Sequence, residues 1–149
     1  KGENIFILPR PMIKKKNLDF SFSGLKTAVR RKVEKTNSKE FTTDLAYSFQ
    51  LAVSECLIDR CSGGINKFLK MFGKGYFLMA GGVASNKYLR KKMIELCEKK
   101  GMFFFAPNPK LCVDNASMVA WTAIERIING EKGDSIKFLP KPRWSINEL

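Results

Sequence analysis

Two adjacent glycines followed by an asparagine form the first stretch that could bind a ligand. In "LMAGGVASNKYLR", residues 78–90, an apolar run ends at Gly81 and Gly82, and an amphipathic segment then begins with Asn86 in its first turn. Glycines at a strand end let a ligand approach the backbone, and a helix N-terminus offers unpaired N–H groups to a phosphate or carboxylate. A tight turn without a ligand, with Ser85 or Asn86 as helix N-cap, explains the same residues. The pattern alone leaves both interpretations open.

The carboxylate of Asp114 is a second candidate, since it follows the next apolar run of the chain. It could bind a metal ion at a sheet edge shared with Gly82. It could equally cap a helix that starts at Asn115. Two candidate ligand positions that converge on one sheet edge favour a pocket more than either does alone.

The segment "DFSFSGLKTA" brings Ser21, Ser23 and Lys26 close together and raises the question of nucleophilic catalysis. The hydroxyls suit strand-end and helix-cap positions, and no companion base is visible, so we do not expect a nucleophile here. The chain contains no histidine. It therefore cannot supply a Ser-His-Asp triad, an H-E-x-x-H zinc site or an imidazole base.

The formal net charge of +13 arises from 27 lysine and arginine residues against 14 acidic ones. The basic residues cluster at Lys14 to Lys16, Arg30 to Lys32, Lys87 to Lys92, and Lys99 to Lys100. A polyanionic partner fits this charge. A solvated surface of a lysine-rich protein fits it as well, so the charge alone does not decide between them.

The cysteines and the apolar runs indicate the compartment. Four cysteines without C-x-x-C spacing lie in core-like segments, which predicts free buried thiols in a reducing cytoplasm; they are Cys56, Cys61, Cys97 and Cys112. No apolar run is long enough to span a bilayer, and the first residues do not follow signal-peptide order, so we expect a soluble cytoplasmic protein without membrane contact. The chain does not begin with Met, and Pro9 and Pro11 resemble a linker, so we expect a piece of a longer protein.

The first half of the chain predicts mainly helices. Residues 1–17 look extended, with a candidate strand at "NIFILP". Alternation over residues 18–22 predicts a short strand, and helical spacing then begins with Ser23 as N-cap. A long amphipathic helix runs from Glu40 to about Arg60 and could resume after Gly63-Gly64. We expect these two helices to pack as a pair.

Residues 76–129 predict an α/β unit in the order strand, helix, strand, helix. The strands "GYFLMAGG" and "MFFFAPNP" are apolar on both faces, as in a sheet covered on both sides, and should be parallel. A helix over 85–99 should face inward with Leu89, Met93, Ile94 and Cys97. The last helix, ended by Asn129-Gly130, should face inward with Met118, Val119, Trp121, Ala123, Ile124 and Ile127. Ligands of such a sheet bind near Gly81-Gly82 and near Pro107 to Asp114.

Three blocks match one family in order and spacing: "LPRPM...LDFSFSGLKTAV" (8–29), "LMAGGVASNKYLR" (78–90) and "CVDNASMVAWTAIERI" (112–127). Together they resemble the C-terminal half of the tRNA N6-adenosine threonylcarbamoyltransferases, the TsaD family, formerly called glycoproteases. The resemblance spans essentially the whole chain. It implies one α/β lobe of the actin-like ATPase (ASKHA, ribonuclease H-like) fold. An extended segment 1–17, a lobe over 18–130 with an added helical pair at 23–72, and a tail over 131–149 would make up the chain.

The family resemblance also implies a reaction and its sites. The threonylcarbamoyl group of threonylcarbamoyl-adenylate would pass to N6 of adenosine 37 in tRNAs that read codons beginning with A. Gly81, Gly82 and Asn86 would contact the adenylate, Asp114 would bind a divalent metal, usually iron, and no catalytic residue is assigned. The partners implied are tRNA, the accessory proteins TsaB and TsaE, and the N-terminal lobe of the same protein.

The family's other metal ligands are two histidines of an H-x-x-x-H motif on the N-terminal lobe, and this chain has no histidine. One carboxylate is a poor metal site. We therefore expect this chain alone to bind metal weakly or not at all and to be inactive in transfer. A nucleotide-binding regulatory or scaffold module of the same fold is the alternative. A sugar-kinase relative is a third, against which "FSFSGLKTA" argues.

Overall fold

The computed structural model describes residues 2–34 and 38–145. The elements along the chain are α1 (Ser23–Val33), α2 (Lys39–Phe72), β1 (Tyr76–Leu78), α3 (Lys87–Lys100), β2 (Phe103–Phe105) and α4 (Ala116–Ile128), with 3-10 turns at Gly82–Ser85 and Pro109–Leu111. Contacts divide the chain into two compact units, Lys1–Val113 and Asp114–Leu149. Among the described residues, no helix combines the length and apolarity needed to cross a bilayer.

The two strands pair in parallel, as the order strand, helix, strand predicts. Tyr76 lies opposite Phe103, and Leu78 opposite Phe105, with α3 as the connection between the strands. The fold class is therefore mixed α/β, with a small parallel sheet. The middle residue of each strand, Phe77 or Phe104, packs against the buried core formed by Ile65, Met93, Leu96, Cys97 and Met102.

The prediction that the strands are buried on both faces is wrong within the first unit. Tyr76, Leu78, Phe103 and Phe105 are all exposed. Successive side chains of a strand point to opposite faces, and here helix-borne side chains cover only the face that carries Phe77 and Phe104. An uninterrupted apolar run indicates that both faces of a strand can be buried. It does not show that the first unit itself contains the segments that pack on both faces.

Helix α2 continues through the glycine pair at which we expected it to break. Ser38 caps its start, because the hydroxyl accepts from Phe41 N at 3.1 Å, and Gly73 ends it with φ +75°. A Cβ on Gly63 would stand 2.6 Å from Leu18 Cδ2. Gly63 therefore lets the segment before α1 lie directly on the helix, and the glycine serves close packing without ending the helix.

The strands predicted at "NIFILP" and at residues 18–22 do not form, since the structure assigns neither segment to a strand. The first segment instead lies along α2 and bonds to its side chains. Glu3 N donates to Asp44 Oδ1 at 2.7 Å, and Phe6 N donates to Ser48 Oγ at 3.3 Å. Alternating apolar residues suit any extended chain with one buried side, and here the backbone partners are helix side chains.

The predicted helical pair is present, because Leu25 of α1 is fully buried with Leu8, Leu45 and Ala52 in a second core. The predicted cap of α1 is wrong. Phe22 occupies the N-cap position without a side-chain bond, and Ser23 is the first helical residue. The Ser23 hydroxyl lies 3.4 Å from that of Ser21.

Helix α3 buries Leu89, Met93 and Cys97 as predicted, and Leu96 joins them, while Ile94 is only half-buried. Helix α4 is ended by Asn129 as its C-cap and by Gly130 at φ +80°, also as predicted. Its predicted inward face is exposed, and none of the residues of α4 is buried. Among the described residues of the second unit no helix or strand follows α4, so the unit by itself offers this face no second layer.

All four cysteines are free thiols, as predicted. Three of them are buried, and Cys61 is half-buried. Burial, and to a smaller extent the neighbouring Cys97, raise the pKa of the Cys61 thiol to about 11. Burial also raises the pKa of Cys56 and of Cys97.

We predict that Cys61 makes the fold less stable at alkaline pH. The folded pKa of this thiol lies above its usual value of 9.0. The contribution of the neutral thiol to stability is therefore complete below pH 9 and is lost as the pH rises towards 11. The free energy of unfolding, measured in urea, should fall more between pH 7 and pH 10.5 for the wild type than for Cys61→Ala. Equal falls in both proteins would show that the thiol ionises as freely in the folded chain as in the unfolded one.

Candidate functional site

The corner after β1 depends on a backbone conformation that only glycine adopts readily. Gly81 has φ +77° and ψ 176°, a region populated almost exclusively by glycine. Gly82 then begins a 3-10 turn, in which Ala84 N donates to Gly81 O at 2.9 Å. The Ser85 hydroxyl donates to Gly82 O at 2.6 Å, so it closes this turn and does not cap the next helix.

Asn86 is the N-cap of α3, which confirms the capping alternative for this residue. Its Oδ1 accepts from Tyr88 N at 2.9 Å and from Leu89 N at 3.1 Å. Its Nδ2 donates to Gln50 Oε1 of α2 at 3.1 Å. One amide therefore fixes the start of α3 and joins it to α2. Capping does not exclude ligand binding, and the substrate contact of Asn86 stays a prediction.

Arg90 holds the two loops that follow the strands together. Its Nε donates to Ala84 O at 3.0 Å, and its Nη2 donates to Pro107 O at 2.9 Å. The corner after β1 and the loop after β2 therefore share one guanidinium. This clamp fixes the sheet edge at which the sequence places ligand binding.

A cavity of about 920 Å³ opens beside this corner, within the first unit. Its walls come from the start of α1, from one face of α2 and from the corner itself. The lining residues are Phe22, Ser23, Lys26, Val29, Phe49, Val53, Leu57, Gly82, Val83, Asn86 and Leu89. Two sequence blocks that stand some sixty residues apart, "FSFSGLKTA" and "LMAGGVASNKYLR", thus meet at one cavity.

Lys26 is the site residue that the sequence reasoning missed. The sequence suggests it only as the partner of a serine nucleophile, whereas the structure places it among cavity-lining residues that are otherwise uncharged. The spacing of Phe22, Lys26 and Val29 could have indicated this, because residues three and four apart share one helix face. Ser21 is not among the lining residues. The serine nucleophile gains no support, since no His, Asp or Glu stands among the described lining residues.

Asp114 belongs to the second unit and is exposed. Its capping alternative is wrong, because the helix starts at Ala116 and the Asn115 side chain caps it by accepting from Met118 N at 2.9 Å. Asp114 lines a shallow cavity of about 390 Å³ with Asn115, Ala116, Met118 and Val119. Gly82 belongs to the other unit, so a pocket shared by Gly82 and Asp114 stays a prediction.

The donor set at Asp114 does not by itself fit a metal ion. In the part of the chain that the structure describes, no three His, Cys, Asp or Glu side chains come together as ligands. Divalent cations in proteins are held by several oxygen, nitrogen or sulfur ligands. A single exposed carboxylate falls short of that number.

Comparison with known proteins identifies the family. The family model for TsaD, tRNA N6-adenosine threonylcarbamoyltransferase, matches residues 1–121. The chain belongs to the TsaD family. TsaD relatives named tRNA N6-adenosine threonylcarbamoyltransferase are 42% identical over 148 residues in Agrobacterium fabrum and 44% identical over 147 residues in Rhodospirillum rubrum.

Each alignment covers 95% of this chain and 40% of the relative. The chain thus spans about 40% of the length of the curated TsaD proteins that it matches. The resemblance inferred from the three sequence blocks is confirmed. The roles of Gly81, Gly82, Asn86 and Asp114 remain predictions.

We predict that alanine at the two glycines has different effects on stability. Gly81→Ala should destabilise the protein by about 1 to 3 kcal/mol, because alanine must adopt the backbone conformation of Gly81. Gly82→Ala should leave stability nearly unchanged, since an added Cβ there meets no atom within 4 Å and the φ is not positive. Urea unfolding measures both. Equal destabilisation by the two variants would contradict the assigned corner geometry.

Proposed function

We propose that this chain is the adenylate-binding lobe of a tRNA N6-adenosine threonylcarbamoyltransferase. The complete enzyme transfers the threonylcarbamoyl group from threonylcarbamoyl-adenylate to N6 of adenosine 37 in tRNAs that read codons beginning with A. The observation that carries this proposal is the cavity at which two family blocks meet. The parallel pair of strands joined through α3 agrees with a lobe of the actin-like ATPase fold, which we propose as its architecture.

The cavity has the size and chemistry that an adenylate needs. Ligand pockets usually measure about 300 to 1,000 Å³ and combine apolar walls with a few polar groups. Phe49, Val53 and Leu57 give an apolar wall for the adenine ring, and Lys26 gives a cation for the phosphate. Gly82 has no side chain to keep the ligand from its backbone. Asn86 has a second Nδ2 hydrogen besides the one donated to Gln50, and this hydrogen can bond the ligand.

These side chains act on the leaving group of the reaction. The adenosine N6 attacks the carbamoyl carbon, the bond from that carbon to the phosphate oxygen breaks, and N6 loses a proton to solvent as adenylate departs. Negative charge grows on the phosphate during this step. A cation positioned beforehand stabilises such developing charge, and Lys26 is suited to that position.

The metal is a separate proposal. We propose that Asp114 supplies one ligand to a divalent metal, iron in the family pattern, when ligands from elsewhere in the enzyme join it. The described residues do not complete such a site, so no step of the reaction is assigned to the metal. We accordingly expect the 149-residue chain alone to bind metal weakly and to lack transfer activity. The N-terminal lobe, TsaB, TsaE and tRNA are its proposed partners in the cytoplasm.

We predict that Lys26→Gln weakens adenylate binding in the intact protein that contains this chain. Hydrogen bonds to charged groups contribute about 1.5 to 3 kcal/mol, so the dissociation constant should rise about tenfold to a hundredfold. Calorimetry with a non-hydrolysable threonylcarbamoyl-adenylate analogue measures it. Lys39→Gln, at the exposed start of α2, removes the same charge outside the cavity and should have no effect. If both variants weakened adenylate binding equally, the cavity would not be the adenylate site.

We predict that Asp114→Asn lowers both bound metal and transfer activity in the intact protein, because an amide is a weaker ligand for a divalent cation than a carboxylate. Elemental analysis and threonylcarbamoyl transfer to a tRNA transcript are the two measurements. The 149-residue chain, assayed in parallel, should give no transfer. Full activity of Asp114→Asn with retained adenylate binding would favour a regulatory or scaffold role.

A further inference from the structure

A second cavity, of about 690 Å³, lies between the loop before α1 and the C-terminal half of α2. We call it the basic groove. Its basic lining residues are Lys14, Lys15, Lys16, Arg60 and Lys67, and Asp59 is the acidic one. Asn17, Leu18, Ser62, Gly63 and Asn66 complete the lining. The groove belongs to the first unit, as the adenylate cavity does.

The loop of the basic groove is held by a buried arginine. Arg60 is only 5% exposed, donates from Nη1 to Lys15 O at 3.0 Å and to Asn17 O, and pairs with Asp59. Lys14 has φ +63°, a conformation that a non-glycine residue keeps only where its surroundings fix it. The three lysines of the loop are therefore presented from a defined backbone.

The charge of the groove remains available to a ligand. Asp59 is already paired with Arg60. Lys14, Lys15, Lys16 and Lys67 are exposed, and none of them forms an ion pair with another residue in the described ranges 2–34 and 38–145. Four ammonium groups thus face solvent around one concavity, without a carboxylate to neutralise them.

The basic surface continues from the groove to α3. Ser62 lines the basic groove and also a neighbouring cavity of about 310 Å³. The charged lining residues of that cavity are Lys99, Lys100 and the ion pair of Lys92 with Glu95. Lys100 Nζ donates to Asn66 Oδ1 at 2.7 Å. The positive surface is therefore longer than one small anion requires, and it follows consecutive elements of the first unit.

We propose that the basic groove binds the phosphate backbone of RNA. Exposed lysines act as point charges for phosphates, and a row of them across a concave surface suits a polymer with regularly spaced charges. The near-absence of apolar side chains among its lining residues favours a nucleic-acid backbone over a membrane surface. That the RNA is tRNA rests on the proposed function, whereas the phosphate chemistry rests on the groove itself.

The position of the groove suits an RNA whose nucleotide reaches the adenylate cavity. Both cavities share α2, with Val53 and Leu57 lining one and Arg60 and Gly63 lining the other. The ten steps from Val53 to Gly63 correspond to about 15 Å along the helix axis. A backbone bound in the groove would therefore lie about 15 Å from the cavity, measured along α2.

The test replaces Lys14, Lys15 and Lys16 together by glutamine in the intact protein and measures binding of an unmodified tRNA transcript by fluorescence anisotropy. Loss of three phosphate contacts should weaken binding about tenfold to a hundredfold at 0.15 M salt and reduce the log–log salt slope by about 2. Lys67→Gln alone should reduce the slope by about 0.7. These side chains are exposed, so the variants should unfold at the wild-type temperature.

The control replaces Lys132, Lys137 and Lys141 of the tail by glutamine, the same change in net charge, and should leave the salt slope unchanged. Equal weakening by both triple variants would overturn the proposal, because net charge alone would then explain binding. The proposal would also be overturned if the variant at Lys14, Lys15 and Lys16 lost binding to phosphatidylserine vesicles but kept its binding to RNA. Adenylate binding should be unchanged in the groove variants, so failure of the groove and failure of the adenylate cavity give different results.

Discussion

The fold of the first unit depends on one uninterrupted helix that serves two cores. The N-terminal half of α2 buries Leu45 and Ala52 against α1 and the extended first segment, and its C-terminal half buries Ile65 against α3 and the sheet. Residues 41–53 of α2 pack in the core with α1, and residues 57–69 pack in the core with α3 and the sheet, so one continuous helix links the two cores. Because the helix continues, the position of α1 is set relative to the corner after β1.

This constraint is what makes the adenylate cavity a single site. The apolar wall of the cavity belongs to α2, while its cation comes from α1 and its glycine and amide come from the corner. The bond between Asn86 and Gln50 joins the corner to α2 directly. Residues from three separate stretches of sequence are thus held by one rigid element and one side-chain hydrogen bond. The basic groove uses the same helix, through Arg60.

Local patterns predicted the local features well. The parallel strands, the bounds of α3 and α4 to within a few residues, and the alternative role of Asn86 as a cap all follow from periodicity and capping chemistry. These signals involve residues within about four positions of one another, which is the range over which helix and strand geometry acts. Gly81 and Gly82 were recognised for the same reason.

Features that depend on distant contacts were not predicted. The first segment alternates like a strand but pairs with α2 side chains, as in the bond of Glu3 to Asp44. The glycine pair lies inside a helix, where Leu18 approaches Gly63 closely. Lys26 becomes a site residue only through the position of α2. The exposed faces of the sheet and of α4 show the same limit, since an apolar pattern does not identify which segment packs against the apolar face. Such pairings are set by tertiary packing.

The separation in sequence between partners also bears on the order of folding. The strands pair across one intervening helix, Tyr76 with Phe103, whereas Phe6 bonds to Ser48 across 42 residues and a further helix. Contacts between near neighbours in the chain close smaller loops and form faster. The sheet with its glycine corner should therefore form before the first segment docks on α2. The adenylate cavity joins α1 and α2 to that corner, and its bond between Asn86 and Gln50 closes a loop of 36 residues, so the cavity should be completed after the sheet itself.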